Sequence, residues 1–250
     1  MAEISGSRSH HSKRPCHRRR TLARLNQPDR LLLELKRVTP SLRLRHLSFP
    51  FAVEQLAKGY VWRGQGHIAE LNLRDFLLVG GSLGGLVALL FAERNPDLIT
   101  GFVNVEGNLT PEDCLFSRKV IPHSFSEFEK VVFPQIKGRL AQQQGEGFAK
   151  HLDVLEGAES RSYYAYSFQT VAYSDSDTLM NRFLNLPIPI FFFYGSENRN
   201  LSYLPELRKS RCKVVEFDNA DRFLFYDTPP RQYALELQRC AIECYGAKHS

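Results

Sequence analysis

A glycine-flanked serine set between two apolar runs constrains this chain more than any other feature. Phe76-Leu77-Leu78-Val79 is a short continuous apolar stretch, the pattern of a strand buried on both faces. Gly80 to Gly85 reads as a turn with Ser82 in its middle. Leu86 to Ala92 is apolar throughout and reads as a buried helix, ended by Asn95-Pro96. A strand that turns this tightly into a helix forces the middle residue into a strained backbone and points its side chain off the end of the sheet. Only small residues are expected two before and two after it, which accounts for Gly80 and Gly84.

The rest of the chain continues the alternation. Ile99 to Val105, Ile188 to Tyr194 and Lys213 to Phe217 read as strands. Pro229-Pro230 opens a last amphipathic helix with Tyr233, Leu237, Cys240 and Cys244 on one face. The fold class is α/β, a mostly parallel sheet flanked by helices. Residues 110–185 form a long insertion with helix-like pieces at Ser126 to Leu140, broken near Pro134, and Phe148 to Leu155. It also carries the aromatic run Tyr163-Tyr164-Ala165-Tyr166-Ser167-Phe168. These rings either line a pocket under a helical cap or glue the cap to the core, and both readings stay open.

Charge divides the 250 residues into a basic segment, 1–46, and a body, 47–250. The first 46 residues hold 12 Lys/Arg against 3 Asp/Glu, whereas the whole chain is only +6, so the body is slightly acidic. Ser12 to Arg20 is a basic stretch open to nucleic-acid or nuclear roles, with a leader lacking fixed structure as the simpler reading. The acidic body argues against nucleic acid as the main partner. No apolar run reaches the length of a membrane span, and no secretory h-region precedes the body. The five cysteines are an odd number without zinc-type spacing, which fits reduced thiols in an intracellular, cytoplasmic protein. Neither a metal nor a cofactor is implied, and the oligomeric state is not set.

The segment Leu71-Asn72-Leu73-Arg74-Asp75 running into Phe76 to Ala92 resembles the α/β-hydrolase family. The likeness continues through Pro96-Asp97-Leu98-Ile99 and Val105-Glu106-Gly107-Asn108, and resumes at Ile190 to Gly195 and at Asn219-Ala220-Asp221-Arg222-Phe223. It covers about residues 68–110 and 186–245 well, the insertion loosely, and residues 1–50 hardly at all, so the first strands are missing or divergent. The resemblance implies serine-nucleophile hydrolysis of a carboxylic ester or similar acyl bond in a small molecule. Ser82 would be the nucleophile and the backbone N–H of Leu83 an oxyanion donor. The cap's tyrosines point to an apolar or aromatic ligand.

Two partners depart from the family pattern. Its acid commonly lies three residues after the glycine that ends the penultimate strand, where this chain has Asn198. Glu197 is adjacent, and Glu106 closes the strand after the serine's helix, where certain haloalkane dehalogenases carry their acid; Glu106 is the favoured substitute. A structural hydrogen bond to loop N–H groups is the competing role for it. The family histidine belongs where Arg222 stands. A guanidinium stays protonated and cannot accept the serine's proton. Of the eight histidines none lies in that loop, and His123 is the one stand-in considered. The alternative to an impaired hydrolase is therefore an inactive relative that binds a small ligand or a protein partner.

Overall fold

The computed structural model describes Ile68 and residues 72–249. The basic segment 1–46, with the stretch Leu31 to Thr39 whose sequence admits a strand, and most of the stretch Phe51 to Ala69, whose sequence is helix-like in part, lie outside the described residues.

Four strands make one all-parallel sheet in chain order: β1 (Phe76–Gly81), β2 (Ile99–Val105), β3 (Ile190–Gly195) and β4 (Lys213–Phe217). β2 and β3 are buried along their whole lengths, as their continuous apolar sequences require. The register pairs Gly81 with Val105, Val105 with Phe193, and Gly195 with Phe217. The carboxyl ends of three neighbouring strands therefore lie level. Ser82, Glu106 and the turn Ser196–Asn198 begin just past them. That edge is where open α/β sheets place their ligands.

Helices cover both faces. α1 (Leu83–Arg94) buries Leu86, Leu89 and Leu90 against a core that includes Phe102, Phe192 and Tyr194. Phe193, one residue on and hence on the other face, meets Tyr233 at 6.1 Å, and Phe217 meets the same ring at 5.6 Å. Tyr233, Leu237, Cys240 and Cys244 are buried along the last helix, α8 (Pro230–His249), the face expected from their spacing. Each fully buried Leu or Phe contributes roughly 1.5–3 kcal/mol relative to its exposed state. Cys114, Cys212, Cys240 and Cys244 are all free and buried. Burial pushes the thiols of Cys212, Cys240 and Cys244 up to about 12, which leaves them poorly nucleophilic. Among the described residues no helix is long and apolar enough to cross a membrane.

The insertion is helical and has a core of its own. A turn at Phe125–Glu127 passes through a π-helical segment, Phe128–Val132, into α2 (Phe133–Ala141). Pro134 does not break this stretch as expected. It sits in the first turn of α2, where a missing N–H is tolerated. α3 (Glu146–Glu156), α4 (Ser160–Ser174) and α5 (Leu179–Leu184) follow. Tyr163 is 2 % exposed and packs among Phe128, Val132, Phe133 and Leu155. Its ring stacks on Phe128 at 6.0 Å, and burial raises its hydroxyl to about 12. Tyr164 meets Phe125 and Phe128 and donates its hydroxyl to the His123 carbonyl. These tyrosines hold the insertion's own core together. Between β3 and β4 lies α6 (Leu204–Lys209), and the short α7 (Leu224–Asp227) precedes α8.

Candidate functional site

The turn at Ser82 is tighter than the Gly80 to Gly85 span read from sequence. Gly80 and Gly81 complete β1 and Leu83 already opens α1, so Ser82 alone makes the junction. Its backbone sits at φ 50°, ψ −128°, a conformation that non-glycine residues rarely adopt. Its N–H donates to the Val105 carbonyl across the strand end. Ser82 is the N-cap of α1, yet its hydroxyl makes no capping bond and the residue is exposed, so Oγ is not tied into the fold. The N–H of Leu83, in the first turn of α1, is among those a helix cannot satisfy internally.

The glycines divide their work unequally. A Cβ on Gly80 would run into the Gly84 carbonyl and lie 2.8 Å from the Ala88 Cβ. A Cβ on Gly84 would meet nothing within 4 Å. Gly80 is therefore small because the backbone of Gly84 passes over it, and among the described residues nothing requires Gly84 to be small.

Glu106 ends β2 in the left-handed region at φ 43° and is 4 % exposed. This strained turn carries its carboxyl across to the end of β3. There Oε1 accepts the Gly195 N–H at 2.8 Å, and the Asn198 side-chain amide lies 3.0 Å from both carboxyl oxygens. The two acid positions weighed from sequence are thus one place in space: Asn198 donates to the carboxyl that Glu106 supplies. Glu197 is exposed. Burial raises the Glu106 carboxyl above the usual range, against the Gly195 N–H, the Asn198 amide and the charge of Arg222, all of which favour the anion.

Arg222 lies in the loop between β4 and α7. The ring of Phe225, three residues on, presses on Gly81, with Cζ 2.5 Å from where a Cβ would be. The segment that follows Arg222 therefore packs on the strand end that carries Ser82. Arg222 exerts its charge on Glu106, on Asp113 and on His151. Asp113, which sequence reasoning did not single out, is buried and accepts the N–H groups of Leu109 and Thr110 and the hydroxyl of Tyr203, each at 2.8 Å. Burial raises its carboxyl as well.

His123 faces Glu127, its Nδ1 2.9 Å from the carboxylate. Among the described residues, the histidine that feels the charge of Arg222 is instead His151, on α3. It lies on the apolar stripe Phe148, His151, Leu152, Leu155, and its interruption of that stripe was its one signal in the sequence. Its ring lies 5.3 Å from Phe116 and 5.1 Å from Phe223. Burial, with Arg222 second, lowers its pKa to about 4, so it is neutral at ordinary pH. Asp221, beside Arg222, is pushed up to about 6 by burial and by the neighbouring Asp227.

No family model and no curated protein sequence matches the chain. Solved structures do. An esterase from Thermogutta terrifontis, determined with malate bound, superposes with a TM-score of 0.59 at 16 % identity, over 80 % of this chain and 75 % of that one. AqDC, a protein that recognises the Pseudomonas quinolone signal and cleaves its ring, gives 0.61 at 15 % identity, over 80 % and 77 %. A carboxylesterase study of Nitrososphaera gargenis gives 0.57 at 12 % identity, over 77 % and 72 %. The parallel sheet, the strained serine between β1 and α1, and these superpositions agree: this chain has the α/β-hydrolase fold.

Proposed function

We propose that this protein is a serine hydrolase by construction, acting on a carboxylic ester or similar acyl bond of a small molecule, with turnover impaired at the base. The observation that carries this is Ser82, held at φ 50° with its hydroxyl unused by the helix it caps. Such strain persists where the surroundings enforce it, and it clusters at functional sites. In this reading Ser82 Oγ attacks the acyl carbon, and the Leu83 N–H donates to the developing oxyanion. Glu106 fills the acid's role from the end of β2, and the 110–185 insertion serves as the cap. Removal of the serine's proton is the weak step. Arg222 stands at the base position and cannot accept it. His151, lowered to about 4, is a poor base even if a substrate drew it close.

A fluorophosphonate probe tests the nucleophile. Covalent labelling of the wild type that disappears in Ser82→Ala supports the reading, and an unlabelled, folded wild type ends it. A second reading, binding without turnover, draws support from Arg222. A fixed positive charge where a hydrolase needs a proton acceptor suits holding an anionic group better than cleaving an ester.

A further inference from the structure

Two nitrogens lie unused where the insertion rests on the base loop. Nη1 of Arg222 and Nε2 of His151 are both buried, and neither has a hydrogen-bond partner. Buried donors of this kind are rare, because leaving one unpaired is costly. They belong to different parts of the chain, α3 and the loop after β4, which meet closely. Gly147, one turn before His151, lets α3 press onto that loop: a Cβ there would lie 3.0 Å from the Phe223 ring and 3.1 Å from Asp227 Oδ1. Phe148 meets Phe223 edge-on at 5.1 Å. A charged guanidinium and a neutral imidazole thus flank one aromatic seam.

The carboxyls near Arg222 do not use up its donors. Glu106 is bonded by Gly195 and Asn198, and Asp113 by Leu109, Thr110 and Tyr203. Burial also raises both carboxyls above the usual carboxylate range. Asp221, on the same loop, is raised as well, to about 6.

We propose that Arg222 Nη1 and His151 Nε2 form a carboxylate-binding subsite for a small acid with a flat apolar body, the body lying along Phe116 and Phe223. The carboxylate takes a charge-assisted bond from the guanidinium and a second from the imidazole in its Nε2–H tautomer. This rests on the reading that the Ser82 end of the sheet takes a small acyl compound, and it names the acidic group such a compound carries.

The test is calorimetric titration of the full-length protein with benzoate and with its neutral isostere benzamide. Benzoate is expected to bind at least about tenfold more tightly than benzamide. Arg222→Gln is expected to weaken benzoate by about tenfold or more, and His151→Phe, which keeps a ring between Phe116 and Phe223, by a smaller factor. Equal binding of the two compounds, no benzoate binding, or a folded Arg222→Gln protein that binds benzoate as the wild type does would each overturn the subsite. Should Arg222→Gln fail to fold, the benzoate–benzamide comparison on the wild type decides alone. Ser82→Ala separates the two proposals: it removes probe labelling but leaves benzoate affinity intact. A protein that binds benzoate and resists the probe keeps the subsite and loses the hydrolase.

Discussion

The serine turn and the loop that carries Arg222 lie at the same edge of the sheet, yet they hold different things. At the serine turn Ser82 is strained, exposed and not bonded into its helix. At the Arg222 loop the backbone is packed down, with Phe225 against Gly81 and Ala220 against the Gly195 end of β3. The cost of each region is stored differently. The turn holds it in backbone dihedrals, of order 1–3 kcal/mol. The loop holds it in charge, with Asp221 beside Asp227 and an unpaired guanidinium nitrogen. In the proposed reading, the geometry of a site outlasts a change in its chemistry, because backbone approach and side-chain identity are set by different contacts.

The sharpest way to break the comparison is to attack the geometry of the turn. Gly80→Ala drives a Cβ into the Gly84 carbonyl and to 2.8 Å from Ala88, both part of a packed strand–helix junction. It is expected to destabilise by about 3 kcal/mol, the upper range for overpacking. Gly84→Ala meets nothing within 4 Å and replaces a helical glycine, so it is expected to stabilise by about 0.5–1 kcal/mol. Urea unfolding of the pair checks both signs. Equal effects would mean that the turn is not held by the approach of Gly84 over Gly80.

What was legible in the sequence follows the same division. Ile99–Val105 came out at its observed bounds, because a strand buried on both faces is a continuous apolar run between breakers. The serine turn was legible because its demands are local. Glu106 and Asn198 could be named but not joined. Their bond spans 92 residues of sequence and depends on Glu106 adopting φ 43°. His151 was passed over because a polar residue on an amphipathic helix gains meaning only from what it faces, and the loop it faces is some seventy residues away. The tyrosine run was legible as aromatic, but its turn inward to Phe128 and Phe133 depends on how the helices of the insertion pack.

The next test gives the loop the base that the proposed function says it lacks. Arg222→His places a titratable base near Glu106, and general-base assistance is worth about 10²-fold or more. Hydrolysis of a short-chain aryl ester is expected to rise by about 10²-fold over wild type. Arg222→Gln, which removes the charge without adding a base, should not show the gain. Adding Glu106→Gln to Arg222→His should remove most of it, because the imidazolium then lacks a counter-charge. A gain shared by the Gln and His variants would show that relief of the guanidinium's charge was responsible, and that the loop no longer presents residue 222 to Ser82.

The smallest effect isolates the charge held in the loop. Asp221 has a folded-state pKa of about 6 against an ordinary 3.8, raised first by burial and then by Asp227. Between those values the folded protein binds more protons than the unfolded chain, so stability falls as pH rises through about 4 to 6 and the full penalty is present at pH 7. The whole shift would correspond to roughly 3 kcal/mol, but the residue is half-buried, and solvent screening brings the expected figure to about 1 kcal/mol. Asp221→Asn removes the charge while retaining the oxygen that accepts the Phe223 N–H at 2.6 Å. The variant is expected to be more stable than wild type by about 1 kcal/mol at pH 7, with the advantage gone near pH 4. His151 contributes in the opposite sense. Its lowered pKa of about 4 makes wild type lose stability as pH falls from 6.5, a loss that His151→Phe should abolish while leaving the Asp221 effect in place. If Asp221→Asn were instead less stable at pH 7, the carboxylate would be holding Arg222 in position, and the loop's cost would lie in its backbone as the serine turn's does.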